Sequence, residues 1–237
     1  ERRIADEKQA TSDLCRVASE RALEMAGVRA DDIDLIILAT ITPDTHCPAG
    51  SNWLEAKLRC RNAVSFDITA ACSGFIFALN VADKMIRCGA NKKALVVAGE
   101  IMSRVVNWKE RESCILWGDG AGAAVKTETS EGAEVMSTHI HTDGENGDTL
   151  LMPGGGSKTT PISYESVDKG LHFLKMIEAN KSFKVAVSRV AESCEEAVAA
   201  NGFTIDDVDV IIPHQANLRI LQGMAKKLKV PLDKVYM

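Results

Sequence analysis

The feature of this sequence that most restricts its fold is a segment that occurs twice. AGVRADDIDLII at residues 26–37 aligns with NGFTIDDVDVII at residues 201–212, at a constant offset of 175. Each copy places a glycine after a helical segment, and each then enters a short apolar run flanked by acids, typical of a buried parallel strand. We interpret the chain as two related halves of βαβ type. The alternative is that two unrelated parts of an α/β protein use the same common pieces.

Further helix and strand signals surround the two copies. Residues 11–26 and 184–200 carry apolar side chains at helical spacing, and Thr11 or Ser12 is the expected N-cap of the first helix. The other predicted elements are strands at 63–69, 94–100 and 118–127 and helices at 73–89 and 217–230. Strands that alternate with helices predict parallel sheets covered by helices, with ligands at the carboxyl ends of the strands.

Composition excludes several classes of function. The net charge is -5 and both signs are scattered, which gives no reason to expect nucleic-acid binding. No apolar run approaches the ~20 residues that cross a bilayer, and the charged start ERRIADEKQA does not resemble a secretory signal. Seven cysteines without a CxxC pair are typical of reduced thiols, and no Cys/His cluster predicts a metal site. We expect a cytoplasmic protein without a metal ion.

Two residues able to carry chemistry stand just beyond predicted strands. Cys72, in FDITAACSGF at residues 66–75, is placed at the first turn of a helix, where backbone N–H groups and the helix dipole favour a thiolate. A thiolate suits covalent acyl transfer, and the N–H of Cys72 would point toward a developing oxyanion. His214, in IIPHQAN, has Ala39 as its counterpart in the first copy, so the repeat does not require a polar group there. Each residue alone can be structural, but their joint placement favours a catalytic pair.

Three motifs in register now resemble a known family. DITAACSGF, WGDGAGAAV and PHQANLRI look like β-ketoacyl-[acyl carrier protein] synthase III, in the thiolase-like superfamily. The resemblance runs in order over essentially the whole chain. It implies an α/β thiolase-like duplicated fold with five layers, α/β/α/β/α, and mixed sheets of mostly parallel strands. The N-terminal half would be residues 1–129 and the C-terminal half residues 130–237.

The resemblance also implies an activity, a decarboxylative Claisen condensation that initiates fatty-acid synthesis. Cys72 would take the acyl group of a short acyl-CoA primer as a thioester. Malonyl-[acyl carrier protein] would then lose CO₂, and the carbanion would attack the acyl-cysteine. His214, as a neutral imidazole, would donate a hydrogen bond to the thioester-enolate oxygen. Acyl-CoA and the malonyl carrier are substrates, so no cofactor is expected.

Other site residues follow from the resemblance. Arg111 aligns with an arginine that packs on the CoA adenine, and Cys47 with a residue that limits the acyl pocket across a homodimer interface. Phe183 is assigned to the CoA site. A small residue at Cys47 would admit a larger primer than acetyl. The residues assigned to docking of the acidic carrier protein are Gln215, Arg219, Lys226, Lys227 and Lys184. The alternative for Arg111 is a solvated charge in a loop. Without the resemblance, an ordinary solvated helix face is an equally good interpretation of the basic residues.

Several alternatives stay open. A relative of the same fold could act in polyketide or secondary metabolism. A non-catalytic homologue would not need both Cys72 and His214, and a cysteine hydrolase would need a water-activating base that the sequence does not offer. The family's third catalytic residue, an asparagine in a GN motif, is expected beyond residue 237, and Asn217 is not that residue. The family's first strand is likewise expected before residue 1.

Overall fold

The structure, a computed structural model, describes residues 2–128, 133–157 and 161–237. The chain divides into two compact units. The first unit joins Glu1–Arg104 to Trp117–Val135, and the second joins Val105–Leu116 to Met136–Met237. The predicted boundary between residues 129 and 130 lies outside the described residues.

The first unit is built on a four-stranded sheet with helices on both faces. Its elements are α1 (Thr11–Ala26), β1 (Leu35–Ala39), α2 (Gly50–Leu58), β2 (Val64–Ile68), α3 (Gly74–Arg87), β3 (Lys93–Glu100) and β4 (Gly120–Thr127). The strand order is β2-β1-β3-β4. β1 pairs in parallel with β2 and with β3, whereas β4 pairs antiparallel with β3. The strands predicted at 63–69, 94–100 and 118–127 are confirmed.

The alternation of side chains along the strands supplies a core on each face of the sheet. All five residues of β1 are buried, as expected for a strand covered on both sides. Ile36 and Leu38 face the layer of α1 and α2, where they pack with Cys15, Leu23, Leu54 and Leu58. Leu35 and Ile37 face α3 and pack with Ala78, Ala82 and Ile86.

The start of α1 differs from the prediction. Ala10, not Thr11 or Ser12, is the N-cap residue, and the Asp13 carboxylate accepts a hydrogen bond from its N–H at 2.8 Å. The two hydroxyls are buried and bond elsewhere: Thr11 donates to the carbonyl of Thr42, and Ser12 donates to Asp44. They therefore anchor the loop after β1 instead of capping their own helix. Gly27 ends α1 in the left-handed conformation, as predicted.

The second unit contains a helical pair and short strands. Its elements are α4 (Arg111–Cys114), β5 (Leu150–Leu151), α5 (Tyr164–Asp168), β6 (Lys175–Met176), α6 (Ala179–Ala200) and α7 (Leu218–Leu228). β5 and β6 pair antiparallel. The apolar faces of α6 and α7 meet in a core that includes Ala191, Leu221, Met224 and Leu228.

The sequence repeat is visible as a repeated local structure. After α1, Gly27 has a φ of 62° and a 3-10 turn follows at Ala30–Asp32. After α6, Gly202 has a φ of 77° and a 3-10 turn follows at Ile205–Asp207, at the same offset. The two copies then diverge.

The prediction of a full strand after the second copy is wrong in its extent. The first copy continues into β1, which has a strand on each side. In the second copy, the described residues form only an isolated parallel bridge between Ile211 and Val235. The apolar pattern is the same, but a full strand also needs hydrogen-bonding partners along its length.

Candidate active site

Cys72 lies in the connection between β2 and α3, at the carboxyl edge of the sheet. Ala71–Ser73 forms one 3-10 turn, and α3 begins at Gly74. Ala71 has a φ of 46°, in the left-handed region that residues with a side chain rarely adopt. Backbone strain of this kind costs of order 1–3 kcal/mol and concentrates at functional sites. The cysteine thus follows a strained residue and immediately precedes a helix.

Gly74 sets how closely α3 approaches the sheet. A Cβ at this position would lie 2.9 Å from the Cβ of Ala39, a separation that Cβ contacts essentially never show. Any larger residue would force α3 away from the end of β1. The absence of a side chain at Gly74 therefore places the Cys72 turn against the strand end.

The ionisation of Cys72 departs from the prediction. The residue is exposed, so a small molecule can reach it. The protein packed around it nevertheless raises the pKa of the thiol by desolvation, and the Glu100 carboxylate raises it further. The N–H of Cys72 itself acts in the predicted direction, but it is outweighed. The helix start was expected to favour the thiolate, but the net shift of the Cys72 pKa is in the opposite direction.

Glu100 is a neighbour of the site that the sequence analysis missed. It is the last residue of β3, and its carboxylate accepts hydrogen bonds from the turn that follows β1. Desolvation raises the pKa of Glu100, while the donors of Thr42, Ile41 and Thr40 act against that rise. The available signal was an acid that ends an otherwise apolar strand, ALVVAGE.

Cys47 lies in the exposed loop between β1 and α2. Its peptide bond to Pro48 is cis. The loop is tied down on both sides of the cysteine, since Asp44 accepts from the N–H of Ser12 at 2.9 Å and the Trp53 indole donates to Thr45 at 3.0 Å. Cys47 therefore belongs to the same unit as Cys72 and is open to solvent.

His214 lies in the second unit, in the segment between the Ile211 bridge and α7. It is exposed, yet desolvation by the surrounding protein lowers the pKa of its imidazole. A lowered pKa favours the neutral ring at pH 7. The Gln215 amide braces this segment by donating to the carbonyls of Pro213 at 3.1 Å and Tyr236 at 3.0 Å. Asn217 caps α7 by accepting from the N–H of Ile220 at 3.0 Å.

The predicted basic residues occupy α6 and α7 of the second unit. Arg219 and Lys226 are exposed on α7, whose opposite side buries Leu221 and Leu228. Lys227 forms an ion pair with Glu192 of α6 at 3.2 Å, so part of its charge is neutralised locally.

The remaining predicted binding residues also lie in the second unit. Lys184 is exposed near the start of α6, and Phe183 beside it is 37% exposed. Arg111 is the exposed first residue of α4. The second unit therefore contains His214, Arg111, Phe183 and the basic residues, and the first unit contains Cys72 and Cys47.

Two histidines of the second unit contact an acid of α6. His139 and His141 contact different oxygens of Glu196, at 3.2 Å and 2.6 Å. Over residues 2–128, 133–157 and 161–237, no group of three or more His, Cys, Asp or Glu side chains has a metal-binding arrangement. Within the same ranges, no helix combines the length and the apolar character that a bilayer crossing requires.

Comparison with known proteins gives one consistent result. The family model for 3-oxoacyl-[acyl-carrier-protein] synthase III matches residues 66–144, and the model for the C terminal part of that family matches residues 198–237. Beta-ketoacyl-[acyl-carrier-protein] synthase III of Caldanaerobacter subterraneus subsp. tengcongensis is 44% identical over 236 residues, which cover 100% of this chain and 71% of the relative. The protein of that name from Thioalkalivibrio sulfidiphilus is also 44% identical, and the match covers 99% of this chain and 71% of the relative.

Solved structures agree. The chain is similar to the crystal structure of 3-oxoacyl-[acyl-carrier-protein] synthase III from Aquifex aeolicus, with a TM-score of 0.87, 35% identity, and 99% of this chain and 70% of the other covered. A priming beta-ketosynthase from a polyketide biosynthetic pathway matches with a TM-score of 0.85 and 33% identity. The match covers 99% of this chain and 69% of the ketosynthase.

Proposed function

This chain belongs to the 3-oxoacyl-[acyl-carrier-protein] synthase III family, and from that premise we propose that it condenses a short acyl-CoA primer with malonyl-[acyl carrier protein] to initiate fatty-acid synthesis. That membership confirms the resemblance seen in the motifs, the thiolase-like fold and the assignment as an acyltransferase. The observation that carries the proposed chemistry is the placement of Cys72, exposed beside a strained residue at the carboxyl ends of the parallel strands β1 and β2.

In the first half-reaction, the sulfur of Cys72 attacks the thioester carbonyl of the primer. A new C–S bond forms, the bond to the sulfur of CoA breaks, and CoA leaves as the thiol with the proton of Cys72. The raised pKa of the resting thiol reduces the fraction of thiolate that is present before the primer binds. The backbone N–H of Cys72 is suited to the oxyanion that develops.

In the second half-reaction, malonyl-[acyl carrier protein] loses CO₂, and the electron pair of the broken C–C bond stays on the thioester fragment as an enolate. The neutral imidazole of His214 donates a hydrogen bond to the enolate oxygen, and the lowered pKa of this residue supports that role. The carbanion then attacks the acyl-cysteine carbonyl and expels the sulfur of Cys72. Loss of CO₂ drives the condensation and every electron pair is accounted for, so the reaction needs no cofactor.

The carrier protein is proposed to dock on the exposed bases of α6 and α7. Arg219, Lys226 and Lys184 provide positive charge that suits an acidic partner. Lys227 contributes less, because Glu192 already pairs with it. Gln215 supports docking indirectly, since its amide N–H groups hold the His214 segment.

CoA is assigned to Arg111 and Phe183, and the acyl chain of the primer to a pocket limited by Cys47. A homodimer is proposed because β2 is an edge strand of its sheet and leaves one side for pairing. The cytoplasm, the compartment where free thiols stay reduced, is the proposed location.

A second candidate is a priming condensation in polyketide metabolism. The polyketide ketosynthase that matches this chain supports it, and the small side chain at Cys47 would admit a branched or longer primer. The same residues would act in both cases, so only the preferred primer and acceptor separate the two.

The test follows the acyl group. Protein is incubated with labelled acyl-CoA primers, the mass added to the Cys72 peptide is measured, and malonyl-[acyl carrier protein] is then supplied. We expect Cys72→Ser to lose acylation, and Cys88→Ser, which changes another exposed cysteine, to keep it. His214→Ala should keep acylation and lose condensation. An unmodified Cys72 with every primer would overturn the proposal, and condensation by His214→Ala at the normal rate would overturn the role of the histidine.

A further inference from the structure

A continuous set of hydrogen bonds links the end of β3 to the segment that carries Cys72. Thr40, directly after β1, donates its backbone N–H to the carbonyl of Ile68 at 3.2 Å. Ile68 is the last residue of β2, from which the chain runs into the Cys72 turn. The position of the Thr40 main chain therefore determines where this segment leaves the sheet.

Glu100 holds the same main chain from the other side. Its Oε1 accepts from the N–H of Ile41 at 2.9 Å, and its Oε2 accepts from the hydroxyl of Thr42 at 2.5 Å and from that of Thr40 at 3.3 Å. Thr42 is fixed in turn, because its hydroxyl accepts from the N–H of Ile101 at 2.9 Å. One carboxylate thus organises three consecutive residues.

Charged groups also surround Cys15, a buried neighbour that shares the influence of Glu100. The charged groups that act on Cys15, which packs from α1, are Asp44 of the loop after β1, Glu100, Asp67 at the end of β2, and Lys57 of α2. Lys57 already pairs with Asp13 at 2.5 Å. Hydrogen bonds from Thr42, Ile41 and Thr40 stabilise the charge of Glu100, and that charge raises the pKa of Cys72.

We propose that Glu100 is a positioning residue for Cys72: through the Thr40–Thr42 turn it fixes the segment that carries the sulfur, and it places a carboxylate in the surroundings of that sulfur. The proposal rests on the proposed function only in treating Cys72 as the nucleophile. It adds a residue that does not touch the reacting atoms but sets the geometry and the charge around them.

The test is the pH dependence of the reaction of Cys72 with iodoacetamide, read by mass on the Cys72 peptide so that other cysteines do not interfere. Glu100→Gln removes the charge but keeps one oxygen for the N–H of Ile41, and its NH₂ can donate to Thr42 if that hydroxyl turns. We expect the pH midpoint of alkylation to fall, with a rate at pH 7.5 that rises by about threefold or more.

Two further variants separate charge from position. Glu24→Gln removes the same charge from the exposed end of α1, which leads to the opposite, amino edge of β1, and should match the wild type. Glu100→Asp keeps the charge but cannot reach the turn, so it should retain the wild-type midpoint and transfer the acyl group more slowly. An alkylation profile of Glu100→Gln that superimposes on those of Glu24→Gln and the wild type would overturn the inference.

Substitutions at Thr42 keep the test decisive if the position 100 variants do not fold. Thr42→Ser preserves the hydroxyl and should acylate Cys72 normally. Thr42→Val loses the hydroxyl contacts with Glu100 and with the N–H of Ile101, and should be at least about fivefold slower. Equal rates would sink the positioning role. If wild-type Cys72 is not acylated by any primer, the proposed function is refuted. Alkylation does not require acyl transfer, so the alkylation profiles still test the role of Glu100.

Discussion

The carboxylate of Asp67, at the end of β2, accepts a hydrogen bond from the backbone N–H of Gly50, the first residue of α2, at 2.7 Å. Its other oxygen accepts from the N–H of Ser51 at 2.8 Å. The N-cap residue of α2 is Ala49, which has no side-chain acceptor. Asp67 therefore caps a helix that is remote from it in sequence and joins β2 to that helix at the edge where Cys72 lies.

We predict that Asp67→Asn lowers the free energy of unfolding by about 1–2 kcal/mol, because the amide offers one acceptor oxygen and turns an N–H toward a second donor. Urea unfolding measures the change. Asp31→Asn, an exposed substitution of the same kind, is the control and should have little effect. Equal midpoints for the two variants would contradict the capping role.

Gly99 and Cys15 should show strong coupling in a double-mutant cycle. A Cβ at Gly99 would lie 2.3 Å from the sulfur of Cys15, and both residues are buried. Gly99→Ala should destabilise the protein by about 1–3 kcal/mol through overpacking. Cys15→Ala should remove most of that cost, so the double variant is more stable than the two single effects predict. Strict additivity in thermal or urea unfolding would show that the two positions are not in contact.

Gly74→Ala should destabilise the protein and slow the acylation of Cys72. Alanine in place of glycine within a helix normally stabilises it by about 1 kcal/mol, so a loss identifies the clash with Ala39 as the dominant effect. Gly122→Ala is the matched control, since a Cβ there meets nothing within 4 Å. Unfolding curves and the acylation rate are measured together. A Gly74→Ala protein that is more stable and fully active would refute the close packing of α3 on β1.

Asp83 should contribute to stability above acid pH. Burial alone would raise the pKa of this carboxyl, but hydrogen bonds from Arg87 and Lys84 outweigh burial and lower it. A lowered folded-state pKa stabilises the fold above about pH 4, the unfolded value, and that contribution disappears as the pH falls through the folded-state pKa. Asp83→Asn should therefore be less stable than the wild type by about 2 kcal/mol at pH 7 and by much less at pH 3.

The matched control for Asp83 is Glu165→Gln. Glu165 also pairs with a base four residues away, Lys169, but both side chains are exposed, and such pairs contribute little. Urea unfolding at pH 7 and pH 3 gives the comparison. A deficit of Asp83→Asn that stays constant with pH would assign the loss to packing and not to charge.

Most of the first unit could be predicted from local patterns. The 3.6-residue period and Gly27 place the body and the carboxyl end of α1, and the apolar run at Leu35–Ala39 identifies a strand buried on both faces. The repeat at the offset of 175 predicts the two helix-ending glycines, and the structure adds a 3-10 turn after each of them. These features depend on residues within one or two turns of each other, so the order of side chains is sufficient to specify them.

Other features depended on groups that meet only after folding. The apolar run at Val208–Ile212 looks like β1 in sequence, but its partners in the described part of the chain reduce it to one bridge with Val235. The cap of α2 comes from Asp67, and the net shift of the Cys72 pKa comes from desolvation and from Glu100. Side-chain order therefore specified the helices, the buried strand and the reactive residue types. Tertiary contacts determined the strand partners, the remote cap of α2 and the direction of the Cys72 pKa shift. Pairing, burial and Coulomb interactions act between groups that are distant along the chain.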